Sequence, residues 1–290
     1  MTDMAASPDP RSASSRPSGH VRSGAWLGDW PRTGKVIARF SCGAASAVAT
    51  KLAIEKYGDA VEIYNTDPGS EHEDNPRFLA DCERWFGRKI HVLRSDRYRD
   101  VDDVIERRKF IVGPKFAVCT DELKRIPGMK VTLIGDVEIY GYTVEERHRV
   151  ERWRENNPER IIECPLIDRE LTKEDCFGML DRVGIELPAM YRLGFDNNNC
   201  IGCVKARDHI NYWKRVRKHF PAVFARRAAQ ERALGVAINR VTRDGVRREI
   251  FLDEIPPGDP TGPDSVKISC GLFCMAEADG LSSPNTDSQT

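Results

Sequence analysis

The sequence predicts an α/β protein with an open parallel sheet, flanking helices and a helical, cysteine-bearing C-terminal region. Two observations carry this prediction. From Lys35 onward, short apolar runs alternate with amphipathic stretches, the pattern of parallel strands joined by crossover helices. After Leu166 the strand-like runs give way to helical stretches, and a Cys-x-x-Cys pair appears.

The elements of the core follow in order along the chain. Lys35–Phe40 is predicted as the first strand, and a helix follows it with Val48, Ala49, Leu52 and Ala53 on one apolar face. The next helix carries its apolar residues at Phe78, Leu79, Cys82, Trp85 and Phe86. Further strands are predicted at residues 61–64, 90–93, 137–140 and 161–162. This order is typical of a Rossmann-like sheet.

The C-terminal half is predicted to be mostly helical. Thr172 followed by Asp175 resembles a capping box, Trp213 and Phe220 lie in helical stretches broken at Pro221, and residues 251–252 are predicted as a short strand. Four regions result. They are a disordered tail at 1–33, an α/β core at 34–168, a helical basic region at 169–255, and a Pro/Gly linker with a cysteine tail at 256–290.

Composition narrows the class of protein. Hydrophobic residues make up 40% and charged residues 31% of the 290 residues, values of an ordinary soluble protein. No apolar run approaches the roughly 18 residues of a membrane span. The first thirty residues contain no apolar core, so they do not resemble a secretory signal. We therefore expect a cytoplasmic protein without a membrane partner, whose nine cysteines stay reduced.

Charge is distributed unevenly although the net charge is zero. Residues 205–248 contain thirteen Lys or Arg and three Asp or Glu, a local balance of +10. Such a block favours an anionic partner such as a nucleotide or a nucleic acid. A pair of solvated, Arg-rich helices would give the same count.

A candidate phosphate-binding loop follows the first strand. Residues Ser41-Cys42-Gly43-Ala44-Ala45-Ser46 join it to a helix, whose N-terminal amides and dipole favour phosphate oxygens. The second strand ends at the same edge of the sheet and brings Asp67 and Glu71 there. A tight turn that needs small residues for packing is the alternative interpretation.

Five segments, taken together, resemble the phosphoadenosine phosphosulfate reductase family of the adenine nucleotide alpha-hydrolase-like (PP-loop) superfamily. The loop is similar to Ser-Gly-Gly-x-Asp-Ser, with Cys42 in place of a glycine and Ala45 in place of the aspartate. The other four segments, in the same order as in that family, are NTDPGSEHEDNPRF, GYTVEERHRVERWRE, PLIDRELTKEDCFGML, and LPAMYRLGF with the cysteine pair after it.

The resemblance implies an adenine nucleotide over residues 41–46, bound by Ser41, Gly43, Ala44 and Ser46. It also implies Asp67 or Glu71 near the reacting end, and Glu146 with Arg149 or Arg152 on the anionic group. An arginine fork suits sulfate or phosphate. A charged helix held by pairs such as Glu145–Arg149 is the alternative.

Three cysteines are candidate metal ligands. Cys200 and Cys203 form a Cys-x-x-Cys pair, which can chelate a metal ion or cluster, although redox chemistry and chance remain open. With Cys119, they resemble the [4Fe–4S] ligand set of assimilatory adenylylsulfate reductases, but one cysteine of that set's adjacent pair is missing here, since Val118 and Thr120 flank Cys119. Zinc is the alternative metal.

Two C-terminal cysteines, Cys270 and Cys274, lie in Ser-Cys-Gly-Leu-Phe-Cys. This segment resembles the Glu-Cys-Gly-Leu-His of the phosphoadenosine-type reductases, whose cysteine takes up the sulfonate. The resemblance makes Cys270 the catalytic nucleophile, and Cys270 or Cys274 could instead be the fourth metal ligand. Cys42, Cys82, Cys164 and Cys176 are predicted to be bystanders.

Three functions remain open from the sequence. The first is a sulfonucleotide reductase that uses a thioredoxin-like reductant. The second is a PP-loop ATP-dependent sulfurtransferase or nucleic-acid-modifying enzyme with an iron–sulfur cluster. The third is a nucleotide sensor without catalysis.

Overall fold

The protein contains a five-stranded parallel sheet. The computed structural model describes residues 34–113, 117–243 and 245–261. The strands of this sheet are β1 (Val36–Phe40), β2 (Val61–Thr66), β3 (His91–Leu93), β4 (Val137–Ile139) and β5 (Ile161–Glu163). Their order is β3-β2-β1-β4-β5, and every pairing is parallel. The chain therefore reverses its direction of winding between β1 and β4, the position where open α/β sheets bind ligands.

Helices connect the strands and continue beyond the sheet. In chain order they are α1 (Ala44–Tyr57), α2 (Asn75–Phe86), α3 (Val101–Arg108), α4 (Val118–Thr120), a π-helix (Asp121–Arg125), α5 (Ile126–Met129), α6 (Arg147–Asn156), α7 (Pro165–Asp168), α8 (Lys173–Arg182), α9 (Ala189–Arg192), α10 (Ile210–His219) and α11 (Pro221–Leu234). Single 3₁₀ turns lie at Gly58–Ala60, Val144–Glu146 and Leu252–Glu254. An antiparallel hairpin follows α11, formed by β6 (Asn239–Arg243) and β7 (Val246–Ile250).

The two faces of the sheet differ in polarity because side chains alternate along each strand. On one face, Val36, Ala38 and Phe40 of β1 pack with α1, α2 and α8 in one apolar core. The opposite face carries Arg39 of β1 and Glu138 of β4. A second core joins α3, the Cys-x-x-Cys region, α10, α11 and the hairpin.

Most predicted elements are confirmed, including the parallel sheet, the cap at Thr172 and the helix break at Pro221. The Thr172 hydroxyl accepts a hydrogen bond from the backbone N–H of Asp175. The Asp175 carboxylate in turn accepts one from the backbone N–H of Thr172. The strand predicted at residues 251–252 is wrong, because Leu252 begins a 3₁₀ turn. The true strands, β6 and β7, escaped prediction because β7 is exposed from Val246 to Glu249 and neither arginine-rich strand shows apolar alternation.

No helix in the described part of the chain is long and apolar enough to cross a membrane.

Candidate functional site: a cleft at the strand ends and a cysteine pocket

The predicted phosphate loop is closed by the Ser46 side chain. Its Oγ accepts hydrogen bonds from the backbone N–H groups of Ser41 (3.0 Å) and Gly43 (3.3 Å) and donates one to the Gly43 carbonyl (2.9 Å). Ser46 is 5% exposed, and α1 begins directly behind the loop. The loop is therefore a rigid, small-residue turn at a helix N-terminus.

Cys42 adopts a left-handed backbone conformation, with φ of 54°. This conformation costs about 1–2 kcal/mol in a residue other than glycine. The Asn198 amide opposes the cost, since its Nδ2 donates to the Cys42 carbonyl at 2.7 Å. The Cys42 thiol is buried, and burial raises its pKa well above the ordinary value. A nucleophilic role for Cys42 is therefore disfavoured.

A cleft of about 480 Å³ lies at the carboxyl ends of β1 and β4. Five of the predicted nucleotide-binding residues line it, namely Ser41, Gly43, Ser46, Glu146 and Arg149. Gly141, two residues after β4, allows the chain to pass close to the first turn of α1, because a Cβ there would lie 2.6 Å from the backbone nitrogen of Ser46. The cleft has the size of a small-molecule site.

The remaining predicted nucleotide-binding residues lie outside the cleft wall. Ala44 is fully buried at the start of α1, and Arg152 is half-buried on α6. Asp67 binds Arg94 at 2.7 Å and accepts from the Gly69 amide at 2.8 Å, which shapes the turn after β2. Glu71 is paired with Lys124, and its side chain is 8% exposed.

Part of the cleft wall comes from the polar face of the sheet, which the sequence did not identify as functional. Arg39, Tyr64 and Tyr140 project from β1, β2 and the end of β4. Arg39 Nε donates to Glu138 Oε2 at 3.0 Å, and Arg160 Nε donates to the other carboxylate oxygen at 3.1 Å. Polar side chains at alternate positions of β2, namely Glu62, Tyr64 and Thr66, were the available indication of a solvated or ligand-facing side.

Lys173 and Tyr191 also line the cleft. Lys173, at the start of α8, is partly buried, and burial lowers its pKa. Its Nζ donates to Asn197 Oδ1 at 3.1 Å and lies 5.7 Å from the centre of the Tyr191 ring. The Tyr191 hydroxyl reaches the phosphate loop, since a Cβ on Gly43 would lie 3.2 Å from it. Burial raises the pKa of Tyr191 to about 12, so it stays protonated.

A second, smaller pocket brings together the three cysteines predicted as ligands. Cys119 from α4 and Cys200 and Cys203 from the loop before α10 all line it. Lys124 lines both this pocket and the cleft. The cleft and the cysteine pocket are therefore adjacent, and both contact the Lys124 side chain.

The Cys-x-x-Cys turn is held by side chains from α10 and α11. Gly202 has φ of 65°, and its carbonyl accepts from Arg227 Nε at 3.1 Å. The Cys203 amide donates to the Tyr212 hydroxyl at 2.8 Å, and that hydroxyl donates to the Cys200 carbonyl at 3.4 Å. These contacts fix both cysteines on one side of the turn.

The donor set of this pocket, three cysteine sulfurs, is of the chemical type that binds zinc or an iron–sulfur cluster. Besides three sulfur donors, Thr120 contributes a buried hydroxyl that has no hydrogen-bond partner among the described residues. The free space is about 10 Å³, room for one ion or water molecule, so a larger cluster requires the thiol side chains to rotate apart. In the positions that they adopt here, no three His, Cys, Asp or Glu side chains of the described ranges are arranged around a single metal ion, so the three cysteines would have to reorient to bind one. Cys270 and Cys274 lie outside the described residues.

A buried polar chain connects the cysteine side of the molecule to the phosphate loop. Lys124 Nζ binds Glu71 Oε1 at 3.0 Å, and Asn75 Nδ2 donates to Glu71 Oε2 at 2.7 Å. Asn198 Nδ2 donates to Asn75 Oδ1 at 2.8 Å, besides its bond to the Cys42 carbonyl. Burial raises the pKa of Glu71 against the opposing charge of Lys124. Four segments distant in sequence are thus held together at the site.

The other three cysteines sit in apolar surroundings. Cys82 and Cys176 are fully buried in the core between the sheet and its helices, and Cys164 is 1% exposed. Burial raises the pKa of all three thiols, to about 12 for Cys164 and Cys176. Such thiols remain protonated and unreactive at neutral pH.

Many basic side chains of residues 205–248 form ion pairs with acidic side chains of the same chain. These ion pairs join Arg226 and Arg227 to Asp102, Arg232 to Asp253 and Glu254, Arg240 and Arg247 to Asp208, and Lys218 to Asp259. Arg227 is 1% exposed. These pairs reduce the charge that the block can offer to a nucleic acid.

Compared with models of known protein families and with curated proteins, the chain matches none. Its function is therefore inferred from the cleft and the cysteine pocket.

Proposed function

We propose that this protein is a sulfonucleotide reductase-like enzyme. It binds an adenine nucleotide carrying a sulfur group in the cleft and acts on that group through the thiolate of Cys270. The observation that carries the proposal is the position of the phosphate loop in a cleft at the switch point of the sheet, one side chain away from a pocket with three cysteines. The adenine nucleotide alpha-hydrolase-like (PP-loop) assignment of the fold belongs to the same proposal.

The cleft offers donors for an anionic ligand on several sides. The amides at the start of α1 favour phosphate oxygens. Lys124, Arg149 and Lys173 add three cationic side chains to the wall. The Arg149 guanidinium is held by an ion pair with Glu146 and lies 5.1 Å from the centre of the Tyr142 ring. A phosphate chain over residues 41–46 would therefore place its far end among these cations.

The chemistry would proceed in two displacements. The Cys270 thiolate attacks the sulfur of the sulfonucleotide, the bond from that sulfur to the phosphate oxygen breaks, and the nucleotide leaves with the oxygen. The enzyme then carries a cysteine thiosulfonate. A thiolate of a thioredoxin-like dithiol attacks Sγ of Cys270 and releases sulfite, and its second thiol closes a disulfide and restores the Cys270 thiol.

Cys119, Cys200 and Cys203 would hold the inorganic centre, iron–sulfur ahead of zinc. The centre would tie α4 to the Cys-x-x-Cys loop next to Lys124, and the positive charge at this end of the cleft would come from Lys124 itself. The protein's own contribution is to fix the Cys-x-x-Cys turn through Tyr212 and Arg227 and to place Lys124 between the two sites.

Two measurements test the proposal. Anaerobically purified protein is expected to contain iron or zinc, and Cys200→Ser is expected to lose it, whereas Cys176→Ala, a control at a buried cysteine outside the pocket, is expected to keep it. Sulfite release from adenylylsulfate or its 3′-phosphorylated form, with thioredoxin, is expected in the wild type and absent in Cys270→Ser. Full activity of Cys270→Ser would rule out its role as nucleophile.

An ATP-dependent transferase is the second candidate. Four carboxylates line the cleft, from Glu145, Glu146, Glu174 and Asp196, and such oxygens suit the Mg²⁺ that accompanies a nucleoside triphosphate. Calorimetry separates the two candidates. Tighter binding of the sulfonucleotide than of Mg²⁺–ATP supports the reductase, and the reverse supports the transferase.

A further inference from the structure

Thr120 presents a buried hydroxyl to the cysteine pocket. The residue is 5% exposed, and its Oγ1 has no hydrogen-bond partner in the described part of the chain. It lines the same pocket as Cys119, Cys200 and Cys203 and follows Cys119 directly in sequence. The helix does not use this hydroxyl, since the carbonyl of Ala117, three residues earlier, accepts from the Thr120 amide at 2.9 Å.

A buried hydroxyl without a partner costs about 1–3 kcal/mol, so its presence calls for a reason. The hydroxyl has one proton to donate. The groups beside it in the pocket are sulfurs, apolar side chains and the cations Lys124 and Lys205. Cations cannot accept a hydrogen bond, whereas a metal-bound thiolate can.

We propose that the Thr120 hydroxyl donates a hydrogen bond to a sulfur of the inorganic centre held by Cys119, Cys200 and Cys203. This inference rests on the proposed function, of which the centre is a part. Thr120 is a positioning residue, because it acts on the centre and not on the substrate. Hydrogen bonds of this kind orient the ligands of a metal centre, and their loss typically costs 10–100-fold in metal affinity. In an iron–sulfur centre they also raise the reduction potential.

The test compares Thr120→Val, which keeps the shape and removes the donor, with Thr120→Ser, which keeps the donor. Metal transfer to a chelator is followed in anaerobically purified protein. Thr120→Val is expected to release metal about 10–100-fold faster than the wild type. Thr120→Ser is expected to stay near the wild-type rate. If iron is present, the midpoint potential of the valine variant is expected to be lower. Thr50→Val is the control, since Thr50 is also buried in a helix but donates to the Ser46 carbonyl at 2.8 Å.

The outcomes separate this inference from the proposed function. If the wild type contains metal, and Thr120→Val releases it at the wild-type rate with an unchanged midpoint potential, the role of Thr120 is overturned and the centre stays in place. Wild type without iron or zinc overturns both. If Thr120→Val does not fold, Thr120→Ala supplies the same comparison with the serine variant.

Discussion

At the scale of single residues, the missing side chain of Gly43 would let a ligand approach the predicted phosphate loop closely. A Cβ at this position would lie 3.2 Å from the Tyr191 hydroxyl and 3.7 Å from Ser41 Oγ. The backbone is extended there, with φ of −106°, so a larger side chain would fill the cleft without straining the chain.

Gly43→Val is therefore expected to weaken nucleotide binding at least tenfold, about 1.4 kcal/mol, while the protein stays folded. Isothermal calorimetry with adenosine nucleotides measures the effect. Gly178→Val serves as the control, because the Cβ would meet only the end of the Arg182 side chain, at 3.9 Å. Unchanged affinity in folded Gly43→Val protein would remove the loop from the binding site.

At the scale of elements, Arg39 ties β1 to the segment that carries Lys124. Its guanidinium is paired with Glu138, whose side chain is 1% exposed, and also donates to the Gly128 carbonyl at 3.0 Å and to Thr132. Removing one partner of a buried pair usually costs 3–5 kcal/mol. In Arg39→Met, Glu138 would still be paired with Arg160. We therefore expect a loss at the low end of this range, about 3 kcal/mol in the free energy of unfolding.

Urea unfolding checks this value. Lys35→Met is the matched control, since the Lys35–Glu62 pair beside the same strand is exposed and is expected to contribute less than about 1 kcal/mol. Equal losses in the two variants would contradict a structural role for the Arg39 pair.

Glu231 holds the hairpin to α11. The side chain is fully buried, and its carboxylate accepts from the amides of Ile238 and Leu252, which flank the two strands of the hairpin. Burial raises the pKa of Glu231 from 4.5 to about 7, against the effect of the two amides.

This raised pKa makes stability depend on pH. Between pH 4.5 and 7 the folded state binds a proton that the unfolded state has released, so the free energy of unfolding falls as pH rises through this window. The contribution of Glu231 is expected to fall by about 3 kcal/mol. In urea unfolding at pH 5 and pH 8, Glu231→Gln should lack this part of the decline. An identical pH dependence in both proteins would refute the assignment.

At the scale of the whole molecule, the polar chain from Lys124 through Glu71, Asn75 and Asn198 connects the two sites. A nucleotide that stabilises the phosphate loop should also stabilise the cysteine side of the chain, with the coupling of about fivefold or more that is usual between linked sites.

Saturating nucleotide is therefore expected to slow maleimide alkylation of Cys119 in metal-free protein, as followed by mass spectrometry. Asn75→Ala is expected to abolish most of this protection, because Asn75 joins Glu71 to Asn198 without lining either pocket. Asn239→Ala is the control, a fully buried asparagine that accepts from the His209 amide at 3.0 Å. Equal protection in wild type and Asn75→Ala would show that the chain does not carry the coupling.

The sequence by itself determined the sheet, the loop and the cysteine candidates. Apolar periodicity is a local property, so it located β1 and the apolar face of α1, and the small residues after β1 marked the loop. The Cys-x-x-Cys spacing likewise is visible without a fold.

Only the tertiary structure decided which distant residues meet. It brought Cys119 to Cys200 and Cys203, and it placed Lys173 and Tyr191 in the lining of the cleft. It also showed that Asp67 binds Arg94 and that much of the basic block forms ion pairs within the protein. These outcomes depend on how the helices and loops pack around the sheet. Ion pairs between residues far apart in sequence produce no local pattern from which they could be predicted.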